Sequence, residues 1–388
     1  MTIKDNVIKA EDYIVSLRRY FHANTEPSLK EYNTANKIEE ELDKLNIPHK
    51  RVGKTGIVGH IGGINPGKTI ALRADIDALE IQQTNEVEYK SLSEGLMHAC
   101  GHDAHTASLL GAAKILKEKE QDIKGTIKLF FQQAEEIGQG ARQFVSEGHL
   151  KDVDNVLGLH VSSALDTGTI SVRPGPIAAS CDYFRVVIEG KSGHVSKPHT
   201  GVDALYIASQ SVVNIQAIVA RQTDPVDPVV VGIGVLNSGT RYNIIAKDAV
   251  LEGTFRTFSQ ETRKKTQDSI EKIFKSTAET YNGTAEIEFR SYSSPVINDR
   301  NSALFATEIA NQLVGVENVI TDQEKALGAD DFAELQVEVP GVYVNIGTKN
   351  PLDDSTAFAH HHGNFNIDER GLLLLTSFYV DYTLEYLK

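Results

Sequence analysis

Cysteine is almost absent from this chain: two residues in 388, Cys100 and Cys181. Two thiols make no disulfide framework, so the expected setting is a reducing compartment, the cytoplasm. Basic residues are also in deficit. The 39 Lys and Arg against 53 Asp and Glu leave a formal net charge of −14, and no basic run offsets it. Such a surface repels nucleic-acid phosphates and anionic membranes, so neither is an expected partner. Long apolar runs are missing as well. The densest, residues 372–375, falls far short of a membrane span, and residues 1–9 are polar and charged, without the apolar stretch of a signal peptide. There is no internal repeat and no low-complexity segment. What remains is 40% hydrophobic and 24% charged, ordinary for a globular protein, in a chain too long for one small core. Two domains are the expectation.

One of the scarce cysteines sits in the most informative stretch, Met97-His98-Ala99-Cys100-Gly101-His102-Asp103-Ala104-His105. It holds three imidazoles, a thiol and a carboxylate. Cys and His are the side chains that bind borderline-soft transition metals. Residues 106–116 carry Leu109, Leu110, Ala113 and Leu116 close to a 3.6 period and read as a helix, with Asp103 as its N-cap. Cys100 and His102 then stand just before a helix N-terminus, whose partial positive charge favours a bound thiolate. A lone cysteine reads as a buried structural residue; this density of ligand-type side chains reads as half of a metal site.

Along the chain, residues 3–21 read as an amphipathic helix with Val7, Ile14, Leu17 and Phe21 on one face, and residues 34–45 as a second helix stopped by Asn46. Strands at 57–61 and 69–74 flank a turn at 62–67. Residues 62–69 match the phosphate-loop pattern G-x-x-x-x-G-K-[ST], but such a loop needs a helix beginning at the Lys. Residues 70–74 read as strand and Asn65-Pro66-Gly67 as turn chemistry, so the nucleotide reading is set aside. A strand at 126–131 ends in Gln132-Gln133-Ala134-Glu135-Glu136, a helix follows at 141–147, and a strand at 153–159 ends at His160. This alternation describes a largely parallel sheet with helices on both faces. Glu135, Glu136 and His160 fall at its C-terminal edge, where open α/β sheets bind ligands.

From Cys181 the order changes to strand 183–188, helix 203–220, strands 229–236 and 249–258, helix 261–281 and strand 285–290. That is βαββαβ, the ferredoxin-like order, inserted into the first domain. After Pro295 the α/β order resumes, with a helix from Ser302, a strand at 342–346, Ala359-His360-His361-His362-Gly363, and a final helix. The expected fold class is α/β: an α/β/α domain with a mixed, mostly parallel sheet over 1–178 and 294–388, plus an inserted α+β domain over 179–293.

The candidate ligands are Cys100, His102, Glu136, His160 and one of His360 to His362. Five are too many for one tetrahedral zinc that keeps an open position. They suit two metal ions sharing a bridging Cys100 or carboxylate. Adjacent glutamates in a loop are usually a solvated pair. Here one serves as ligand, and the other, Glu135, can take a proton from an attacking water and pass it to a leaving amine. His22, His49, His60 and His149 read as structural.

These motifs resemble a known family. Arg73-Ala74-Asp75-Ile76-Asp77-Ala78-Leu79, His98 to His105, Gln133-Ala134-Glu135-Glu136, Gly158-Leu159-His160, Gly193-His194 with Pro198-His199, Asn243, Gly253-Thr254-Phe255-Arg256 and His361 occur in order over nearly the whole chain. They resemble the aminoacylase, hippurate hydrolase and auxin-conjugate amidohydrolase branch of the dinuclear metallopeptidases related to carboxypeptidase G and succinyl-diaminopimelate desuccinylase. The resemblance implies Cys100, His102, Glu136, His160 and His361 as ligands of two divalent ions, zinc or manganese, with cobalt also open. It implies Glu135 as base, Asp77 orienting a ligand, His194 steadying the oxyanion, and Asn243 and Arg256 contacting substrate. It makes the inserted domain a lid that forms a homodimer. Gly363 stands where the family usually has Pro, and His22-Ala23-Asn24-Thr25-Glu26-Pro27 rearranges its His-x-x-Pro-Glu.

The expected activity is hydrolysis of N-acyl-L-amino acids, or related amino-acid conjugates, to a carboxylic acid and a free amino acid. The alternatives are a cysteine-nucleophile hydrolase using Cys100, a dipeptidase or aminopeptidase-like metallohydrolase, and a non-catalytic metal-binding scaffold, which leaves Glu135 without a role.

Overall fold

The computed structural model describes residues 3–388; Met1 and Thr2, in the polar stretch 1–9, lie outside the described residues. The chain forms two compact units. One runs up to Gly175 and adds Asn298–Glu324 and Asp330–Lys388; the other comprises Pro176–Ile297 and Lys325–Ala329.

The first unit is built on an eight-stranded sheet in the order His49–Val52, Gly56–Gly62, Lys124–Gln132, Asn65–Asp75, Asn155–Asp166, Gly341–Lys349, Ile170–Ser171, Val319–Ile320. Lys124–Gln132, Asn65–Asp75, Asn155–Asp166 and Gly341–Lys349 are parallel, and the first two strands of the order are antiparallel. Parallel strands need crossovers, here helices, which bury both faces. The strand Asn65–Asp75 is therefore buried without alternation from Thr69 onward. It also begins earlier than its turn residues suggest. Pro66 and Gly67 lie in the strand, and the reversal is made by Gly62 and Gly63 at φ 86° and 80°. Lys68 starts no helix, so the phosphate-loop pattern has no structure behind it.

The helix His102–Glu118 is buried nearly all round, as its Ala- and Leu-rich sequence demands. It packs on the sheet and against the helices Glu11–Ala23 and Arg370–Tyr386. Two glycines permit this. Gly101 sits at φ 88°, and a Cβ there would lie 2.3 Å from Val161 Cγ2. A Cβ on Gly111 would meet Ile14 Cγ1 at 2.6 Å. Asp103 is not the N-cap that the sequence suggests. Gly101 occupies the capping position, the helix begins at His102, and the Asp103 carboxylate turns to Arg18 Nε at 2.9 Å and His22 Nδ1 at 2.8 Å. The expected helix 3–21 is two helices, Ile3–Lys9 and Glu11–Ala23, with Val7, Ala10, Ile14, Leu17 and Phe21 all buried.

The second unit has an antiparallel sheet in the order Val230–Ser238, Asp248–Arg256, Cys181–Glu189, Thr284–Ser293. Its helices Ala204–Ile215 and Gln260–Thr280 are capped by the Asp203 carboxylate and the Ser259 hydroxyl. Phe184, Val186, Leu251 and Phe255 from the sheet meet Ile207, Ile270 and Phe274 from the helices in one core. Residues 325–329 join this unit because Ala326 donates to Ile177 O at 2.9 Å and accepts from Ala179 N at 3.0 Å. Among the described residues no helix is long and apolar enough to cross a membrane.

Two stability outcomes follow from this packing. Gly111→Ala is expected to destabilise by about 1–2 kcal/mol through overpacking on Ile14, with Ile14→Val relieving part of the loss in denaturant titrations. The second concerns Asp381, whose carboxyl is pushed up to about 6 by burial and then by Glu385 one turn on. The fold favours the neutral form, so the stability is present below the unfolded value of 3.8 and is lost as pH rises through 6. Asp381→Asn is expected to stabilise by about 1 kcal/mol at pH 7.5, after discounting for solvent screening, and by nothing near pH 4 in paired thermal melts.

Candidate metal centre

The parallel strands deliver ligand-type side chains to one edge of the sheet. Asp75 ends its strand and Asp77 follows it. Glu135 and Glu136 follow the strand Lys124–Gln132 through Ala134, which adopts φ 54°. His160 lies inside its strand, which continues to Asp166, rather than just past the strand end. His361 arrives on the loop after Gly341–Lys349 at φ 64°, with its N–H donated to Ala99 O at 2.8 Å.

These residues converge. Cys100 Sγ is 3.5 Å from His160 Nε2. Glu136 Oε1 is 3.8 Å from His102 Nε2 and 3.5 Å from His361 Nε2. Glu135 Oε2 is 4.0 Å from His102 Nε2. The donor atoms of Cys100, His102 and His160 all lie within 4.8 Å of one another, as do those of Cys100, Glu136 and His361. Cys100 belongs to both sets. Of the three adjacent histidines, His361 is the one at Glu136; His360 Nε2 faces the Ser163 N–H at 3.5 Å, and His362 stacks on Phe358.

Hydrogen bonds aim the donors. A carbonyl only accepts, so His102 Nδ1–H donates to Asp77 O at 2.9 Å and His160 Nδ1–H to Val161 O at 2.6 Å. Each ring thereby turns Nε2 inward, the arrangement that orients metal-ligating histidines. His102 Nε2 and Glu136 Oε1 are buried with no hydrogen-bond partner. Buried polar atoms left unpaired are costly, and a cation satisfies both. Thiolate, imidazole and carboxylate donors together fit a borderline-soft divalent ion.

The electrostatics point the same way. Burial first, then Asp330 and Glu136, hold the Glu135 carboxyl well above its usual range. Burial pushes Glu136 up to about 7 against the pull of His102. Burial also pushes the Cys100 thiol up and, with His105 and His360, pulls His160 well down. Without cations the proton stays on sulfur, so these two groups make no thiolate–imidazolium pair.

Three expected site residues lie in the second unit. His194 is exposed on the short strand Gly193–His194, paired with Ile244–Ile245. Its Nδ1 accepts from the Ser196 N–H at 3.1 Å and from Ser196 Oγ at 2.8 Å, which leaves the proton on Nε2. Asn243 Oδ1 is buried without a partner. Arg256 donates through Nη1 to Leu327 O at 3.0 Å.

Several residues at the centre have roles that the sequence motifs did not assign. Arg73, fully buried, donates to Asp75, to Asp330 and Asp331 at 3.1 Å each, and to Gln132 at 3.0 Å. His105 donates through Nδ1 to Asp75 Oδ1 at 2.6 Å and accepts at Nε2 from the Val161 N–H at 3.0 Å, so both ring nitrogens are engaged. Donor oxygens of Glu135, Asp330 and Asp331 cluster within 4.8 Å. Charged residues closing an otherwise apolar strand, Arg73 and Asp75, and the adjacent acids Asp330-Asp331 before an apolar turn were the available signals.

Comparison with known proteins accords with this geometry. Over 376 residues the chain is 40% identical to thermostable carboxypeptidase 2 of Saccharolobus solfataricus, covering 96% of this chain and 95% of that one. It is 39% identical over 298 residues to N-acyl-L-amino acid amidohydrolase of Geobacillus stearothermophilus, covering 76% and 80%. The Bacillus subtilis YXEP protein, a solved dinuclear metal-binding peptidase of the M20 family, matches with a TM-score of 0.84 at 33% identity, covering 98% of this chain and 99% of that one. Residues 71–385 match Peptidase family M20/M25/M40. Because that match takes in every ligand-type residue of the converging cluster, the chain belongs to Peptidase family M20/M25/M40 and is a metal-dependent amidohydrolase of two divalent ions.

Proposed function

We propose that this family member cleaves N-acyl-L-amino acids to a carboxylic acid and a free amino acid, with Cys100, His102, Glu136, His160 and His361 as the residues that would hold the ions. The observation that carries this reading is the pairing of Glu135 with Glu136 beside Cys100, His102 and His361. When bound, the two ions supply Lewis acidity and lower the pKa of water. Glu135 Oε2 takes the proton of the attacking water and gives it to the leaving nitrogen. Asp77 accepts through its backbone carbonyl from His102 and so holds that ring in its ligating tautomer. His194, with its proton on Nε2, donates to the oxyanion. Arg256 pairs with the α-carboxylate, for which a guanidinium offers two parallel donors, and Asn243 contacts the substrate through its unpaired Oδ1.

The second unit supplies a lid and a homodimer contact in this proposal. Its strand Val230–Ser238 is a sheet edge with Val235 and Leu236 exposed, and pairing two such edges across a two-fold axis removes that liability. Zinc or manganese is the proposed metal, with cobalt a functional substitute, and the cytoplasm is the proposed setting, where the free thiols Cys100 and Cys181 stay reduced. A second reading, carboxypeptidase-like cleavage of peptides, is favoured by the name of the 40% identical relative. A Cys100 nucleophile is disfavoured, because burial raises the thiol while His160, its neighbour at 3.5 Å, is a weakened base.

The substrate reading is tested by releasing free amine from a panel of N-acyl amino acids and dipeptides in buffers carrying each metal; dipeptides turning over while every acyl amino acid stays intact would transfer the assignment to the peptidase reading. Chelation is expected to abolish activity and added divalent metal to restore it. Glu135→Gln is expected to keep the metals and lose ~10²–10⁴-fold in rate, whereas Glu136→Gln loses metal as measured by elemental analysis. Swapped phenotypes would swap the roles. His194→Ala is expected to cut turnover with metal content intact, and Arg256→Ala chiefly to raise KM. Mixing inactive Glu135→Gln chains with inactive His194→Ala chains tests a shared site: recovered activity requires one intact site made from two subunits.

A further inference from the structure

Glu31 is a buried carboxylate at a helix start, and it does not cap the helix. It occupies the capping position of the helix Tyr32–Lys44 and makes no side-chain cap bond. Glu26 caps instead, accepting from Asn33 N at 3.1 Å and Thr34 N at 2.8 Å. Glu31 is fully buried, and its side chain points elsewhere. Oε2 accepts from Thr55 Oγ1 at 2.8 Å. Oε1 accepts from two backbone N–H groups, Leu29 and Ala134, at 2.9 Å each. Both donors are non-glycine residues in the left-handed region, Leu29 at φ 64° and Ala134 at φ 54°. That conformation is strained for a side-chain-bearing residue and persists only where neighbours enforce it.

Each of these two residues borders the metal centre. Ala134 immediately precedes Glu135 and Glu136. Leu29 follows Ser28, whose hydroxyl donates to Asp77 Oδ2 at 2.6 Å, and the same oxygen accepts the Glu136 N–H at 3.1 Å. One carboxylate oxygen therefore ties the loop that supports Asp77 to the elbow that carries the two glutamates.

We propose that Glu31 is a positioning residue for the reaction: by anchoring the left-handed Ala134 it aims Glu135 at the attacking water and Glu136 at its ion. The inference rests on the roles given to Glu135 and Glu136 above. Removing the anchor leaves the buried Ala134 N–H and the Leu29 N–H without their acceptor and frees Ala134 to relax to negative φ, which rotates the following peptide and displaces both side chains. Displacements of this kind cost on the order of 10–100-fold in rate.

The test compares Glu31→Ala, Glu31→Gln, Ala134→Gly and the Glu31→Ala/Ala134→Gly double variant. Turnover is followed together with Zn²⁺ affinity, from titration of metal-free protein against a chromophoric chelator, and melting temperature. Glu31→Ala is expected to lower kcat ~10–100-fold with KM changed by less than about threefold, and to weaken Zn²⁺ binding roughly tenfold. Glu31→Gln, which keeps the shape and one acceptor oxygen, is expected to retain most of both. Glycine adopts positive φ without strain, so Ala134→Gly in the Glu31→Ala background is expected to recover much of kcat and metal affinity while the melting temperature stays low. Wild-type kcat and affinity in Glu31→Ala would overturn the proposal, as would losses that follow the melting temperature and are not relieved by Ala134→Gly. Glu135→Gln run alongside separates the two levels: full turnover there refutes the base assignment itself, whereas an inactive Glu135→Gln with an unaffected Glu31→Ala refutes only the role of Glu31.

Discussion

The structure is organised by an excess of buried negative charge. Asp75, Asp77, Glu135, Glu136, Asp330 and Asp331 crowd one edge of the sheet and are buried or nearly so. Burying an ionised carboxylate without compensation is prohibitive, so each must be paired, protonated or given a cation. Arg73 resolves half of the problem by taking Asp75, Asp330 and Asp331 onto one guanidinium. Its planar fork of donors suits this task as a lysine would not. His105 completes Asp75, and Gln132 and the Ala141 N–H complete Asp331. Glu135 and Glu136 are left with raised proton affinity. Arg73 and neutral hydrogen-bond donors thus serve the deep layer of the site, and Glu135 and Glu136 stand where divalent ions would bind.

Backbone strain gathers around the same point. Gly101, Ala134 and His361 all have positive φ, and they introduce Cys100 and His102, Glu135 and Glu136, and a ligand-type imidazole. Departures of this kind tend to cluster at functional sites, where the surrounding structure holds them. Gly101 needs no restraint because it lacks a Cβ, and the space a Cβ would need is taken by Val161. His361 is tied by its N–H to Ala99 O, and Ala134 by its N–H to Glu31. Parallel strands bring side chains to a common edge, but tight non-repetitive turns aim them at a common point.

Much of the architecture was legible in the order of residues. The alternation of short apolar runs with helix-period stretches described a mixed, mostly parallel sheet, because strands buried on both faces must be apolar throughout. The phosphate-loop pattern could be dismissed because residues 70–74 have strand chemistry. Boundaries were less legible. Pro66-Gly67 looks like a turn and lies in a strand, since the flanking Gly62 and Gly63 already reverse the chain. Asp103 looks like an N-cap, but Arg18 and His22, distant in sequence, bind its carboxylate more strongly than backbone amides do.

At the site, the sequence by itself determined chemical type. A Cys-x-His pair before a helix and adjacent glutamates after a strand announce metal and proton chemistry through side-chain identity alone. Which of three consecutive histidines faces Glu136 was indicated only by the family resemblance, which pointed to His361; side-chain identity could not choose, because identical neighbours are separated only by backbone direction, and φ 64° at His361 sets that direction. The two-faced role of His105, the sharing of Arg73 among three aspartates and the inward turn of Glu31 were equally out of reach. A lone glutamate in a loop reads as solvated, and only packing removes the water. Tertiary structure decided these points because burial, and with it the strength of every charge and hydrogen bond, is a property of the folded surroundings rather than of the residue.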